Sequence, residues 1–395
     1  MTVDMHLFWN LCVTGMVYCV SSYGPFSCSS SLLWATEMRG AWIPSVYNLD
    51  FPSRKNMEPV EQLKEIRHLV AVAARCRLNN IFVQVRSESD ALYSSSIEPW
   101  SRFLTGRQGR TPGFDPLQVF IREAKLRGIA VHAWINPYRV ATNATNSFDR
   151  KHVSQSLAPH IRRVGNLLWM DPSSVAAQNH ILRVVKDLIS RYNLAGIHLD
   201  DYFYPYPNRL LGPFPDAQAY LSYRTLGGQL EIGDWRRQNI NRLVHKLSIL
   251  IHQERPGMKF GISPFGIYTR GSPSTVEADL DQLNCLYSDP VFWMCHGWVD
   301  YIAPQLYWKE GGPRSFSTLL KWWRSQKINP HGIPIYPGIT LERLAQRNSW
   351  PVSEIVLQMR LEKATRPRGK GGFILWRLHQ LVTDVKGISS IVARE

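Results

Sequence analysis

The chain has 395 residues, of which 44% are hydrophobic and 19% are charged; this composition excludes a disordered protein and suffices for one large domain or two ordinary ones. Its formal charge is +15, but the basic residues are scattered, with no arginine-rich stripe and no RNA-binding signature, so we predict no nucleic-acid partner. The six cysteines lack metal-type spacing. A disulfide framework is not expected in so large a chain, although Cys285 and Cys295 either pair or remain as buried thiols.

The first 31 residues are predicted to form an export segment. Residues 7–20 are apolar and residues 21–31 are rich in serine, as in the hydrophobic region and polar end of a secretory signal. The apolar run is short for a membrane span, and no Lys or Arg precedes Arg39, so the positively charged start of such a signal is missing. Ser27-Cys28 resembles a lipoprotein cleavage site, which would add membrane association through this segment. We predict a protein exported to the periplasm or cell envelope.

From residue 41 onward, short β-type runs alternate with helical stretches, which is the pattern of a parallel α/β fold. The predicted strands are residues 40–46, 80–86, 129–136, 195–201, 259–264, 299–307, 333–339 and 372–376. The predicted helices are residues 59–77, 116–127, 173–192, 234–254, 315–326 and 352–363. Eight such units, without a glycine-rich dinucleotide fingerprint after the first strand, favour a single (β/α)8 TIM-type barrel over residues 32–395. Its long loops after strands two, three and four are the expected places for a site.

Polar side chains interrupt several of these strands at every second position. Strands of a parallel barrel are covered on both faces and normally read as continuous apolar runs. Alternate residues of a strand point to the same side, so each polar set can face the barrel interior together, and most members lie late in their strand, where barrel enzymes place their chemistry. The sets are Gln84 with Arg86; His132, Trp134 and Asn136; His198 with Asp200; and Tyr301, Gln305 and Tyr307.

The sharpest local signal is the pair Asp200-Asp201 at the end of the fourth strand. No Lys or Arg adjoins the pair, and burial there raises a carboxyl pKa, as a general acid requires. Asp200 is therefore the first candidate for catalysis. Asp201 faces the other way along the strand and either supports Asp200, caps a loop or pairs with an arginine such as Arg236.

Cleavage of a glycosidic bond usually needs a second carboxylate across the bond. The candidates are Glu88 and Asp90 after the second strand, Asp300 at the start of the sixth, and Glu310 after it. Asp90 is preferred because it follows a strand tip. Retaining and inverting chemistry both remain open, as does a substrate-assisted route in which an N-acetyl group of the sugar is the nucleophile.

Aromatic and histidine residues add candidates for substrate binding. His132 and His198 are either binding residues or hydrogen-bonded histidines of the core. No metal-binding histidine motif is present, so neither a catalytic metal nor another cofactor is predicted. The pair Trp322-Trp323 on a helix is interpreted as packing. Better platforms for sugar rings lie at or just beyond strand ends: Trp134, Tyr138, Tyr202, Tyr204, Tyr307, Trp308 and Trp376.

The order of these motifs resembles that of the family-10 glycosyl-hydrolase-like proteins of bacteria, the YngK/YddW type. The motifs that carry the resemblance are Arg39-Gly40-Ala41-Trp42, Phe82-Val83-Gln84-Val85-Arg86, Asp90-Ala91-Leu92-Tyr93, Glu98-Pro99-Trp100-Ser101, Leu104-Thr105-Gly106, His132-Ala133-Trp134-Ile135-Asn136-Pro137-Tyr138-Arg139, Gly196-Ile197-His198-Leu199-Asp200-Asp201-Tyr202-Phe203-Tyr204-Pro205, Asp234-Trp235-Arg236-Arg237, Gly261-Ile262-Ser263-Pro264-Phe265-Gly266-Ile267 and Asp300-Tyr301-Ile302-Ala303-Pro304-Gln305-Leu306-Tyr307-Trp308, followed by Trp322-Trp323. One departure is Ser87-Glu88-Ser89, where relatives tend to have a turn containing Pro and Gly.

The resemblance implies a (β/α)8 barrel, an envelope location and glycosidase action on bacterial cell-wall glycan. Our hypothesis is hydrolysis of a polysaccharide substrate, β-linked amino-sugar strands such as peptidoglycan, with Asp200 as the leading acid/base residue and Asp201 and Asp90 as supporting carboxylates. The alternative is a carbohydrate-binding barrel of the cell envelope without catalysis. The remaining residues predicted to bind substrate are Gln84, Arg86, His132, Trp134, Asn136, Tyr138, Arg139, His198, Tyr202, Tyr204, Gln305, Tyr307, Trp308 and Trp376.

Overall fold

The computed structural model describes residues 37–208 and 210–395, and the predicted export segment, residues 1–31, lies outside them. Residues Glu37–Glu395 cluster into one compact unit. In this part of the chain, no helix is long and apolar enough to cross a membrane. Cys285 and Cys295 are both free and half-buried, so they do not form the disulfide that the sequence left open.

Within residues 37–208 and 210–395, eleven strands form two sheets. In chain order they are β1 (Met38–Ile43), β2 (Asn80–Arg86), β3 (Ala130–Ile135), β4 (Arg139–Ala141), β5 (Ile161–Val164), β6 (Leu167–Met170), β7 (Gly196–Leu199), β8 (Lys259–Ile262), β9 (Tyr301–Ile302), β10 (Gly338–Thr340) and β11 (Gly372–Trp376). Eight of them are parallel, in the order β10-β11-β1-β2-β3-β7-β8-β9. Parallel bridges from Ile302 to Ile335 and from Gln305 to Gly338 join the two ends. The predicted (β/α)8 barrel is confirmed.

The other three strands form a small antiparallel sheet, β4-β6-β5, within the loop that follows β3. This loop is one of the three long loops that the sequence predicted. It lies at the carboxyl end of the barrel, because every connection that leaves a parallel strand starts there.

In the part of the chain that the structure describes, twelve α-helices accompany the strands: α1 (Pro59–Arg75), α2 (Arg102–Thr105), α3 (Pro116–Lys125), α4 (Val153–Ser156), α5 (Val175–Arg191), α6 (Ala217–Thr225), α7 (Ile232–Glu254), α8 (Pro290–Cys295), α9 (Phe316–Arg324), α10 (Val352–Thr365), α11 (Leu378–Val382) and α12 (Ile388–Arg394). The six predicted helices correspond to α1, α3, α5, α7, α9 and α10. Caps fix their starts: the Asp115 side chain accepts a hydrogen bond from the Gln118 amide at 3.0 Å, and Ser174 caps α5. On α9, Trp323 is fully buried, in accordance with a packing role.

Two barrel strands are shorter than predicted because prolines interrupt them. The sixth strand was predicted over residues 299–307, but regular pairing in β9 stops before Pro304. The seventh was predicted over residues 333–339, and Pro334 and Pro337 confine β10 to its last part. A proline has no amide hydrogen to donate to a ladder. Their carbonyls still accept, from the Ile302 amide at 3.0 Å and from the Ile374 amide at 3.1 Å, so the barrel stays closed.

A series of hydrogen bonds links five side chains across the barrel interior. The Trp42 indole N–H donates to His198 Nε2 at 3.1 Å, and His198 Nδ1 pairs with the Tyr301 hydroxyl at 3.0 Å. The hydroxyl lies 3.4 Å from His132 Nδ1, and His132 Nε2 lies 3.1 Å from Asn80 Oδ1. Since the indole can only donate, one consistent arrangement runs from Trp42 to Asn80 with both imidazoles neutral. Burial lowers the pKa of His132 to about 3 and lowers that of His198 well below its ordinary value.

The aromatic interior depends on small residues in the neighbouring strands. A methyl group on Gly261 would overlap the ring of Tyr301, which is 1% exposed. We expect Gly261→Ala to lower the free energy of unfolding by about 1–3 kcal/mol, because an overpacked core must shift backbone or rotamers. Urea unfolding measures the change. Gly312→Ala is the control, since no heavy atom lies within 4 Å of the added carbon there; equal effects of the two substitutions would contradict the packing argument.

Candidate functional site

A cleft of about 550 Å³, part of it open to solvent, lies at the carboxyl ends of the barrel strands. Seven of its ten lining residues were predicted from the sequence. The lining residues are Trp42, Trp134, Asp200, Asp201, Tyr202, Tyr206, Ser263, Gln305, Tyr307 and Trp376. They come from the ends of β1, β3, β7, β8 and β11 and from the segment after β9, so side chains far apart in sequence converge on one space.

Asp200 follows β7 directly and is only 5% exposed. Its carboxyl accepts hydrogen bonds from the Trp134 indole N–H at 3.0 Å, from the Asn136 amide side chain at 3.2 Å and from the Tyr202 backbone amide at 3.2 Å. Burial, and next the charge of Asp201, raise the pKa of Asp200 to about 7, against these donors. A carboxyl group of this kind can give up a proton and take it back near neutral pH.

Asp201 also lines the cleft and is 2% exposed. The Tyr206 hydroxyl donates to its carboxyl, and the Gln305 side chain is a second hydrogen-bond partner. Burial raises the pKa of Asp201, while both partners counteract this by favouring the charged form. The alternative that Asp201 pairs with Arg236 is wrong, because Arg236 forms its ion pair with Asp216 at 2.6 Å.

Arg139 supports the acids from behind the cleft. Its Nε donates to the backbone oxygen of Ser87 at 2.9 Å, and its guanidinium carbon lies over the Tyr202 ring, 5.2 Å from the centroid. Its backbone amide donates to the Asn136 side chain at 2.9 Å, which orients that amide toward Asp200. Arg139 is 7% exposed and does not line the cleft, so it is placed as a positioning residue. Its positive charge counteracts the rise in the pKa of Asp200.

Three indoles form the apolar wall of the cleft. The Trp376 ring lies 6.1 Å from that of Trp42 and 6.0 Å from that of Trp134, at interplanar angles of 60° and 68°. Flat aromatic faces of this kind bury large apolar areas and suit the C–H faces of a sugar ring. Tyr202 and Tyr206, with ring centroids 5.3 Å apart, lie on the side of the acids.

Arg86 and Gln84 were predicted to face the cleft, and the structure places both elsewhere. The pairing of β2 with β3 shifts register between Gln84, opposite Trp134, and Arg86, opposite Ile135. This bulge turns Arg86 onto the outer face that it shares with Ile135. Gln84 remains inside, but its side-chain oxygen accepts the backbone amides of Ser45 and Val46, each at 3.0 Å, so it holds the loop after β1.

Other residues that the sequence singled out also lie outside the cleft lining. His132 and His198 are fully buried in the interior chain below it, which fits their alternative interpretation as core histidines. Tyr138 and Tyr204 are at most 1% exposed in the hydrophobic core. Trp308 packs edge-on against a neighbouring phenylalanine beyond β9. These positions give no support to a direct role in substrate binding.

None of the four candidates for a second carboxylate lines the cleft. Asp90 is fully buried and accepts a hydrogen bond from the Gln108 side chain at 3.2 Å; burial and the neighbouring Glu88 raise its pKa to about 6. Glu88 is paired with an arginine at 3.0 Å. Asp300 binds the Phe260 amide near the opposite end of the barrel, and Glu310 caps the start of α9. The preference for Asp90 therefore has no geometric support.

Three lining residues were not predicted: Trp42, Tyr206 and Ser263. Two of the three carried a periodic signal. Trp42 lies two positions after Gly40 on β1, and Ser263 two positions after Gly261 on β8, so both continue an inward face. Tyr206 carried no such signal, because it lies beyond the end of β7, where Tyr204 packs in the core while Tyr202 and Tyr206 line the cleft. Across residues 37–208 and 210–395, no group of three or more His, Cys, Asp or Glu side chains is arranged to hold a metal ion.

The hydrogen bond from the Trp134 indole N–H lowers the pKa of Asp200. Because that hydrogen bond favours the charged carboxylate, Trp134→Phe removes the donor and raises the pKa of Asp200. We expect the titration of Asp200 to move to higher pH, since the acid form then persists longer. The carboxyl NMR signal of Asp200, followed against pH, measures the shift. Trp376→Phe, which alters an indole on another strand, is the comparison; an unmoved titration in Trp134→Phe would contradict the effect of the indole N–H on Asp200.

An eight-stranded α/β barrel with buried carboxylates and aromatic rings at the carboxyl ends of its strands is the architecture of many glycoside hydrolases. Two solved structures share the fold. The glycoside hydrolase domain of PgaB (BpsB) from Bordetella bronchiseptica aligns with a TM-score of 0.59 at 13% identity, covering 90% of this chain and 98% of that domain. The α-L-fucosidase isoenzyme 2 from Paenibacillus thiaminolyticus aligns with a TM-score of 0.57 at 11% identity, covering 91% and 48%.

Residues 37–351 match the family model described as glycosyl hydrolase-like 10. The chain is 33% identical over 335 residues to glycosyl hydrolase DigH of Escherichia coli, covering 78% of this chain and 74% of that protein. It is 36% identical over 310 residues to glycosyl hydrolase YngK of Bacillus subtilis, covering 76% of this chain but only 60% of the length of YngK. The chain belongs to the glycosyl hydrolase-like 10 family.

Proposed function

We propose that this protein is a glycoside hydrolase that cleaves β-linked amino-sugar strands of the cell wall, such as peptidoglycan, with Asp200 as the acid/base residue. The observation that carries the proposal is the buried carboxyl of Asp200. It opens into the cleft, and its pKa of about 7 suits proton transfer to a leaving sugar oxygen. Membership of a glycosyl hydrolase-like family supports the reaction class. An exported protein would meet such a polymer, in line with the apolar residues 7–20.

The lining of the cleft supports a sugar ligand. Three indoles offer flat apolar faces, while Gln305, Ser263 and Tyr307 offer polar groups. A sugar ring needs both kinds of contact, because its C–H faces are apolar and its hydroxyl groups require hydrogen-bond partners.

The alternative is a barrel that binds carbohydrate without cutting it. Release of soluble fragments from purified wall material separates the two functions. We expect wild-type protein to release fragments, and Asp200→Asn protein to pellet with the wall material without releasing them. Asp234→Asn is the matched control, because Asp234 is an exposed acid paired with Arg237 on α7. Binding by wild type without any release would favour the non-catalytic barrel.

A further inference from the structure

The cleft holds an unusual set of acids for a glycosidase. Among its lining residues, the only carboxyl groups are those of Asp200 and Asp201, which are neighbours in the chain and stem from the end of one strand, β7. Four other acids were candidates, and each forms an ion pair or a hydrogen bond with protein groups outside the cleft. They are Glu88, Asp90, Asp300 and Glu310.

Direct displacement by enzyme carboxylates needs acids on both sides of the cleaved bond. The separation is about 5–5.5 Å in retaining enzymes and about 6.5–9.5 Å in inverting ones. In the closed ring of eight strands, β11 lies diametrically opposite β7. It contributes Trp376 to the cleft, and β1 beside it contributes Trp42. The wall that faces the two acids is therefore aromatic.

Because this wall supplies no carboxylate, the group that attacks the sugar has to come from elsewhere. We propose that it is the 2-acetamido group of the substrate itself, so that the cleft takes a 2-acetamido-2-deoxy sugar at the position that is cut. This inference rests on the proposed glycosidase function and specifies its substrate and mechanism.

In the first step, the acetamido carbonyl oxygen attacks the anomeric carbon as the bond from that carbon to the leaving sugar oxygen breaks. The proton of Asp200 moves to the leaving oxygen. The product is an oxazolinium ring fused to the sugar, whose positive charge lies on the former amide. In the second step, water attacks the anomeric carbon and gives a proton to Asp200. The ring opens, the acetamido group is restored, and the new hemiacetal keeps the original β configuration.

In this mechanism, the Asp201 carboxylate accepts a hydrogen bond from the acetamido N–H. An amide nucleophile must be turned so that its oxygen meets the anomeric carbon, and its N–H then needs an acceptor. Asp201 lies beside Asp200, and Tyr206 and Gln305 fix its carboxyl from the protein side. Its negative charge stabilises the positive charge that develops on the amide.

The two acids divide the roles by their proton affinity. Two neighbouring carboxylates in a buried site repel each other when both are charged. The pair therefore holds one proton. Tyr206 and Gln305 favour the charged form of Asp201, and the charge of Asp201 in turn raises the pKa of Asp200. The shared proton therefore lies on Asp200, where the leaving oxygen needs it.

The test uses peptide-free wall glycan in three matched forms: de-N-acetylated, de-N-acetylated and then re-acetylated, and re-acylated with trifluoroacetyl groups. Reducing-end release gives kcat and KM for each form. We expect the re-acetylated glycan to be cut. The free-amine and trifluoroacetyl forms should lose at least about 100-fold in kcat, because an amine has no carbonyl oxygen and fluorine withdraws electrons from that oxygen. Proton NMR of the first products should show the β anomer.

Equal kcat values for the three forms, or an α anomer as the first product, would overturn the acetamido mechanism while leaving the glycosidase intact. Failure to cut any form, together with no release from whole wall material, would overturn the proposed function and this inference with it. As a second readout, Asp201→Asn should lower kcat on re-acetylated glycan far more than it changes KM. Unchanged kcat in that variant would remove Asp201 from the mechanism.

Discussion

Asp200→Asn is expected to lower kcat for wall-glycan hydrolysis by roughly 10²–10⁴-fold, the usual contribution of general acid–base catalysis. Asparagine is nearly the same size but has no proton to donate to the leaving oxygen at any pH. The Asn side chain keeps one acceptor oxygen, which can accept the Trp134 indole N–H or the Tyr202 amide but not both. We expect KM to change much less than kcat, because the aromatic residues that line the cleft are unchanged. Reducing-end release over a range of glycan concentrations measures both constants.

The same residue predicts the pH dependence of wild-type activity. Since burial and the charge of Asp201 raise the pKa of Asp200 to about 7, its acid form predominates below that pH and disappears above it. The kcat of wild type should therefore fall as pH rises through about 7, and the residual activity of Asp200→Asn should lack this limb. Persistence of the limb in the variant would assign it to another group. Asp234→Asn should keep both the rate and the profile.

Glu98→Gln and Arg86→Met are each expected to lower the free energy of unfolding by about 3–5 kcal/mol, the usual cost of leaving one partner of a buried ion pair without the other. Arg86 and Glu98 are fully buried and meet through two hydrogen bonds, of 2.8 and 2.7 Å. His180 adds a third bond to Glu98, at 2.7 Å. The Arg86 guanidinium also donates to the backbone oxygen of Asn136 at 2.6 Å. Chemical unfolding followed by circular dichroism measures the loss.

The matched control is the exposed pair of Arg54 and Glu61, 2.8 Å apart with side chains 60% and 42% exposed. Glu61→Gln should cost no more than about 1 kcal/mol, because solvent screens surface pairs. Similar losses for Glu98→Gln and Glu61→Gln would contradict a dominant role for the buried pair. Since the Arg86 pair also holds the backbone at Asn136, which contacts Asp200, a surviving Arg86→Met protein should lose activity as well.

The buried pair also predicts behaviour in acid. Arg86 and His180 outweigh burial and hold the pKa of Glu98 at about 2, below its value in the unfolded chain. The stability that this carboxylate provides is therefore fully present above the unfolded pKa and is lost as pH falls through the folded one. Wild type should lose more stability than Glu98→Gln between about pH 4.5 and pH 2. A parallel decline would remove Glu98 from the acid transition.

Much of this protein could be predicted from local sequence patterns. The alternation of strand and helix gave the eight barrel units, since hydrophobic periodicity and capping residues such as Asp115 act over a few neighbouring positions. The period of two in a strand likewise placed Trp134, Asp200 and Gln305 inside, and their late positions placed them at the carboxyl end, where the structure has the cleft.

Contacts between strands decided the rest. A bulge turned Arg86 from the cleft to the outer face. In a bulge, two residues of one strand lie opposite one residue of the neighbouring strand, and the sequence of a single strand does not reveal this. His198 and Asp200 share one inward face, but they lie at different depths in the barrel. His198 lies below the cleft, whereas Asp200 lines it. Trp42 lines the cleft, and its indole N–H donates to His198, 156 positions away.

The sequence by itself determined the barrel, the inward face of each strand and the acid pair at the end of β7, because these follow from local geometry with fixed periods. Only the tertiary structure decided which acids share a space: it brought Asp200 and Asp201 into the cleft and enclosed Asp90 elsewhere. The physical reason is that hydrogen bonds and packing between segments distant along the chain set the direction of a loop side chain, and no periodicity encodes them.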